Sequence, residues 1–375
     1  MKIFISIPWF TPAYKGGGPV QSVLNLVTDL TEDIEYYIFC GDRDLDGTLL
    51  DVPARNAWTT FSPHVQVYYA EKGKQSQQLI DEVERIKPAC LYIIGLFSWH
   101  FNIVPVFFCK QVRKIWSVRG MLHPGALSQK PTKKKFFLRG IRASGLHKKL
   151  SFHATDAREA HYINSAFGDT VRIHIASNFP RLFERLPLPA KHPGELNLAT
   201  VALISPMKNH GIILQALAGI TTPVHYTIAG PVKDPVYWAW CKELIQGLPP
   251  NIKIEYRDNV SPAEVEDILA SVHAIVMPSK SENFGHSIIE ALSAGRPVIT
   301  SHFTPWNDLE KRNAGFNTDI TVAAVRKAIN TLAAMDADTL NQWSRAAAVY
   351  AHHHVHLPSL RKAYIDMFKQ ETGNA

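Results

Sequence analysis

Met277-Pro278-Ser279-Lys280-Ser281-Glu282-Asn283-Phe284-Gly285-His286-Ser287-Ile288-Ile289-Glu290-Ala291-Leu292-Ser293-Ala294-Gly295-Arg296-Pro297-Val298-Ile299 reads as strand, loop, helix and strand in succession. A buried strand ends at Met277, a polar loop leaves the sheet, and Gly285 permits close backbone approach by a ligand. The pattern predicts a helix from about His286 to Ala294, which Gly295 ends before the next strand. That succession is the building unit of a parallel sheet. The helix start presents N–H groups and a partial positive charge suited to a diphosphate. Glu290, just over one turn inside, is positioned to accept hydrogen bonds from a vicinal diol such as a ribose. Glu282, in the loop ahead, is placed to do the same for hydroxyls of a bound sugar.

The same alternation extends in both directions. Upstream, strands are expected at Lys2–Ile7, Ile34–Cys40, Val65–Tyr69, Cys90–Ile94, Ile115–Val118, Phe152–Ala154 and Val171–Ile175, with helices such as Ser76–Ile86 and Asp156–Ala166 between them. Gly16-Gly17-Gly18 forms a loop before a helix opened by Pro19, whose Val20, Val23, Leu24, Val27 and Leu30 keep the helical period. Around Asn178–Pro193 the pattern lapses into a stretch holding Pro180, Pro187, Pro189 and Pro193, which reads as a linker. A second series follows, with strands at Leu196–Ile204, His225–Ala229, Ile252–Tyr256, His273–Met277 and Pro297–Thr300. Ser261-Pro262-Ala263-Glu264 predicts a capping box. The expectation is α/β: two Rossmann-like, doubly wound parallel-sheet domains, 1–180 and 195–338, facing a central cleft. Helices over 339–375 are expected to pack back on the first domain. Ligands of such sheets bind at the carboxyl ends of the strands.

The chain has 375 residues, of which 46% are hydrophobic and 19% charged, enough for two buried cores. Cys40, Cys90, Cys109 and Cys241 are scattered, which fits a reducing compartment and argues against a disulfide framework or a zinc ribbon. The N-terminal apolar run is broken too soon by Pro8 to be a signal peptide, and no run approaches the roughly 20 apolar residues of a membrane span. A cytoplasmic location is expected, with peripheral contact at the inner face of the cytoplasmic membrane. Net charge is +7, and the stretch from Lys130 to Leu150 holds no acid. Its cations Lys130, Lys133, Lys134, Lys135, Arg139, Arg142, Lys148 and Lys149 alternate with Phe136, Phe137, Leu138 and Ile141. Either this is a surface helix with an apolar inner face, or 130–149 docks on anionic lipid. Nucleic acid is not expected, because no binding module accompanies the charge.

Glu282 and Glu290, with seven residues between them, lie in Ser-Glu-Asn-Phe-Gly-His-Ser-Ile-Ile-Glu-Ala-Leu-Ser-Ala-Gly-Arg-Pro-Val-Ile. This stretch resembles the signature of family 4 of the retaining glycosyltransferases, which have the GT-B fold. Thr304-Pro305-Trp306-Asn307-Asp308-Leu309 is similar to the subgroup that builds bacterial surface polysaccharides. Ile204-Ser205-Pro206-Met207-Lys208-Asn209, Ile228-Ala229-Gly230-Pro231 and Arg119-Gly120-Met121-Leu122 extend the likeness over nearly the whole chain. The resemblance implies transfer of a sugar, with retention, from a UDP- or GDP-linked donor to a glycan or lipid-linked acceptor. It implies that Glu282 and the backbone at Phe284, Gly285 and His286 hold the donor sugar. Glu290 would hold the ribose beside Ile289, and Lys208 would neutralise the diphosphate. Gly17 and Gly18 would line the cleft near the acceptor, Arg119 would lie near the reacting sugar, and His123 in the same loop would touch substrate. No cofactor and no metal is implied, since cations and a helix dipole stabilise the leaving group. Leu203 and Asp258 depart from the family, which commonly carries arginine and glycine at these positions; where Arg119 stands, many relatives carry histidine.

Blander and rival readings remain beside these. Asp42-Arg43-Asp44 and Asp44-Leu45-Asp46 look like a metal-binding D-x-D, but the tandem Rossmann pattern argues against the fold that uses one. His352, His353, His354 and His356 read as an exposed helix end. The rival functions are a nucleotide-sugar epimerase or phosphorylase on the same scaffold, or a catalytically weakened binding subunit suggested by Leu203.

Overall fold

A computed structural model describes residues 1–128 and 131–369. These fall into two compact units, Met1–Phe179 together with the chain from Leu357, and Pro180–His356. The first unit holds strands β1 (Lys2–Ser6), β2 (Glu35–Gly41), β3 (Trp58–Ser62), β4 (Val65–Ala70), β5 (Cys90–Ile94), β6 (Lys114–Ser117), β7 (Ser151–Ala154) and β8 (Arg172–Ile175). Their order across the sheet is β3-β4-β2-β1-β5-β6-β7-β8. Side chains alternate across it. Ile3 and Ile5 join one core cluster with Val23, Leu26 and Val27 of helix Gly18–Asp29, while Phe4 joins the cluster on the opposite face. Burial on both faces explains the unbroken apolar runs.

The sheet is not wholly parallel as expected: β3 pairs antiparallel with β4, with Thr59 opposite Val67. This strand went unread because Trp58-Thr59-Thr60-Phe61-Ser62 lies at the sheet edge, half-buried or exposed throughout, and so lacks an apolar run.

The second unit holds β9 (Leu196–Val201), β10 (Val224–Ala229), β11 (Ile252–Arg257), β12 (Ala274–Met277), β13 (Val298–Ser301) and β14 (Gly315–Thr318), ordered β11-β10-β9-β12-β13-β14. Every pairing is parallel. Strand β14 was also unread. It is short, and it opens on Gly315 at φ 147°, where a Cβ would lie 2.0 Å from the Val298 carbonyl oxygen. The predicted capping box is present: Glu264 N donates to Ser261 Oγ (3.3 Å), and Ser261 N donates to Glu264 Oε2 (2.7 Å).

The tail divides later than residue 339. Helix Ala337–His354 buries Ala347, Tyr350 and Ala351 in the cluster formed by Ile288, Ile289 and Leu292, so it belongs to the second unit. Only helix Leu357–Lys369 returns to the first unit. There Tyr364, Met367 and Phe368 are buried, and Arg361 grips Asp29 through two bonds of 2.7 and 2.8 Å. Of the 339–375 stretch expected to pack on the first domain, only the part from Leu357 belongs to the first unit, and Gln370 to Ala375 lie outside the described residues. No described helix is long and apolar enough to cross a membrane.

Candidate active site

In the second sheet β9 lies between β10 and β12, so the chain reverses direction of growth at the β9/β12 pair. A crevice outside the carboxyl ends of such a pair is where open α/β sheets take ligands. Two loops leave these ends. After β9, Lys208 N donates to Ser205 O (3.0 Å), and Asn209 adopts φ 64° to start helix His210–Leu217. After β12 runs the loop to Gly285. The loops are tied by Lys280 N to Met207 O (2.9 Å) and Asn209 Nδ2 to Pro278 O (3.2 Å).

This cross-tie brings together two residues singled out separately in the sequence. Lys208 Nζ lies 2.5 Å from Glu282 Oε1, with side chains 22% and 9% exposed. Gly285, at φ 78°, is the N-cap of helix His286–Ser293, and an added Cβ would meet Ile288 Cδ1 at 3.1 Å. Its carbonyl accepts from Ile288 N (3.0 Å) and Ile289 N (3.3 Å). The first N–H groups of a helix have no acceptor within it, which leaves that of Ser287 directed out of the helix start. Phe284 is fixed behind this turn: Trp306 Nε1 donates to its carbonyl (2.5 Å), and its ring packs on those of Trp306 and His286.

Glu290 is buried, and burial pushes its carboxyl up to about 7 against the opposing pull of Arg181. Arg181, absent from the sequence reading, lies over the Phe183 ring at 4.1 Å and pairs with Glu266 at 3.0 Å. Nothing in its local pattern marked it. His210 was also missed; it is fully buried, and burial together with Lys208 pushes its imidazole down to about 3. The Ile289 side chain is fully buried in the core, and its N–H donates to Gly285 O within the helix (3.3 Å). Leu203 is half-buried in the loop after β9.

The first unit holds the remaining candidates. Gly17, at φ 72°, is the N-cap of helix Gly18–Asp29, and open space surrounds the Cβ position of Gly18. Arg119 follows β6 with φ 49° and is buried. Its guanidinium donates to Ser22 Oγ (3.0 Å), Tyr92 Oη (2.9 Å) and Asn178 Oδ1. Tyr92 Oη and Ser117 Oγ reach His153 Nδ1 at 2.7 and 2.9 Å, and burial first, then Arg119, keeps that imidazole far below its ordinary value. Arg119 is therefore the centre of a buried polar network. His123 is exposed and caps the short helix Pro124–Leu127, with Gly125 N donating to its Nδ1 (3.1 Å).

Asp44 and Asp46 hold their own loop, the latter pairing with Lys15 at 2.7 Å, and Asp42 is buried beside Arg55. Among the described residues no group of three or more His, Cys, Asp or Glu is arranged to hold a metal. In helix Pro131–Ser144, Lys133, Lys135, Arg139 and Arg142 are exposed, Ile141 is buried, and Phe136 is 66% exposed. Lys134 is engaged, donating to Ala126 O (2.6 Å) and lying over the Phe97 ring. Lys130 lies outside the described residues.

Residues 189–349 match the family of glycosyl transferases group 1. No curated protein matches the sequence. Among solved structures the chain is similar to sucrose-phosphate synthase from Thermosynechococcus elongatus, with TM-score 0.69, 15% identity and 98% of each chain covered. It is similar to HepE of Anabaena in complex with UDP and glucose, with TM-score 0.70, 16% identity, and 99% of this chain and 100% of that one covered. It is also similar to WaaG, a glycosyltransferase involved in lipopolysaccharide biosynthesis, with TM-score 0.64, 11% identity, and coverage of 99% and 100%. That match lies within the second unit, and the chain has the expected GT-B fold.

Proposed function

We propose that the protein is a retaining glycosyltransferase that moves a sugar from a nucleotide-sugar donor to a glycan or lipid-linked acceptor in bacterial surface-polysaccharide assembly. The observation that carries this reading is the meeting of Lys208, Glu282 and the glycine-capped helix start beyond β9 and β12, with Glu290 one turn along. In this reading the diphosphate lies on the helix start and Lys208, the ribose on Glu290, and the sugar hydroxyls on Glu282 and the backbone of Phe284, Gly285 and His286. The complexes of HepE with UDP-glucose and with UDP and glucose support the donor class, and WaaG supports the assembly context.

The chemistry assigned is same-face attack. The bond from the anomeric carbon to the phosphate oxygen breaks, its electron pair leaving with the diphosphate. The acceptor oxygen bonds that carbon on the same face, and its proton passes to the departing phosphate oxygen. Lys208 and the helix dipole stabilise the developing charge, so no metal is required. The first unit serves the acceptor through Gly17, Gly18 and His123. Arg119, bonded to Ser22 behind Gly17, is a positioning residue there. Exposed Phe136 among Lys133, Lys135 and Arg139 is assigned to an anionic lipid surface on the cytoplasmic side.

Incubation with UDP-glucose or GDP-mannose and lipid-linked acceptors tests the reading. It predicts acceptor-dependent release of nucleoside diphosphate, a product with the donor's anomeric configuration by NMR, and no loss of rate in EDTA. Epimerised donor without acceptor, an inverted product, or a glycosyl group trapped on a carboxylate would overturn it.

A further inference from the structure

Within the loop Val201–Asn209, Lys208 is the only cation. Among the described residues, Lys208 and Glu282 are each other's only side-chain hydrogen-bond partners, at 2.5 Å. The Glu282 side chain is only 9% exposed, and its backbone is fixed by Glu282 N donating to Phe303 O at 3.0 Å. One ammonium is thus held by a carboxylate that water scarcely reaches.

We infer that Glu282 is a specificity-determining residue that makes the site favour the intact nucleotide sugar over the nucleoside diphosphate product, by competing with phosphate for Lys208. The inference rests on the donor-site reading above. A free nucleoside diphosphate must draw Lys208 away from Glu282. It then leaves a nearly buried carboxylate without its cation and beside a second anion, and removing one partner of such a pair is strongly destabilising. The intact donor also takes Lys208 with its diphosphate, but its sugar hydroxyls donate to the carboxylate that the ammonium has left. Both groups are then satisfied. Once the sugar has moved to the acceptor, that compensation is gone. Glu282 recaptures Lys208 and the diphosphate is expelled.

Glu282→Gln keeps the shape and an acceptor oxygen while removing the charge. Calorimetric titration of UDP, GDP and ADP into both proteins should show the variant binding its nucleoside diphosphate about tenfold more tightly. Affinity for the matching nucleotide sugar should be unchanged or weaker, so the preference for intact donor narrows at least as far. In a Lys208→Met background, Glu282→Gln should give no gain. Glu282→Ala makes the same comparison should the glutamine variant not fold. Equal or weaker nucleoside diphosphate binding by a folded Glu282 variant overturns the inference while leaving the donor site standing. If neither wild type nor variant binds any of the three, the donor-site reading falls and the inference with it.

Discussion

Gly17 and Gly285 perform the same backbone task in the two units. Each is an N-cap with positive φ, 72° and 78°, at the head of a helix that follows a parallel strand and its loop. Their surroundings differ. Beside Gly17 the Gly18 position opens on space, and Lys15 is held by Asp46. Around Gly285 stand the Phe284–Trp306 wall, the Lys208–Glu282 pair and buried Glu290. A helix start alone offers a weak, general attraction for anions. What other loops bring to it makes it selective, and in the second unit they bring charge from residues 74 positions apart.

The largest effect should come from Lys208. Lys208→Ala is expected to lower kcat/KM about 10²–10³-fold, as loss of an electrostatic stabiliser of a leaving group does. Steady-state kinetics check it, and a loss below a few-fold would remove Lys208 from the chemistry.

Glu290 yields a prediction in stability. Its folded-state value of about 7 stands above the ordinary 4.5. Between these pH values the folded protein keeps a proton that the unfolded chain has lost. Stability therefore falls as pH rises through that window and is lowest above it. Glu290→Gln lacks this dependence, so above pH 7 it should be more stable than wild type, by on the order of 3 kcal/mol. Below about pH 4.5 the two should coincide. Urea denaturation across pH shows whether the curves diverge with this sign.

The two glycines should separate by position. Gly285→Ala and Gly17→Ala both force a side chain into left-handed space and should each destabilise by about 1–3 kcal/mol. Gly18→Ala, in open space, should be neutral or stabilising by about 0.4–1 kcal/mol, yet should raise KM for the acceptor. Denaturation paired with kinetics distinguishes these; unchanged acceptor KM would detach Gly18 from the site. The smallest effect concerns the surface. Glu at Lys133, Lys135 and Arg139 should reduce sedimentation with phosphatidylglycerol liposomes several-fold, each charge contributing about 1 kcal/mol near the membrane. Equal sedimentation removes the lipid role.

The fold was legible where apolar runs were bounded by turns. Cys90–Ile94 is observed at the predicted limits, and the helix predicted from His286 does begin there, because Gly285 supplies its cap. Edge strand Trp58–Ser62 escaped because exposure erased its pattern, and Gly315–Thr318 because a glycine and four residues carry too little of one. The site was legible as separate motifs, whereas its pairing was not. No local spacing says that Lys208 meets Glu282, which follows from β9 lying beside β12, or that the charge of Arg181 bears on Glu290. The network around Arg119 was illegible for the same reason, since its partners Ser22, Tyr92 and Asn178 are all distant in sequence.

A nucleotide held between the Gly285 helix start and Glu290 is central to the proposed activity. The direct measurement is calorimetry of wild type and Glu290→Ala with whichever of UDP, GDP or ADP binds, alongside inorganic pyrophosphate. The variant should bind its nucleoside diphosphate about tenfold more weakly, from lost ribose contacts, with pyrophosphate unaffected. Equal affinity of both proteins for the nucleoside diphosphate would contradict it.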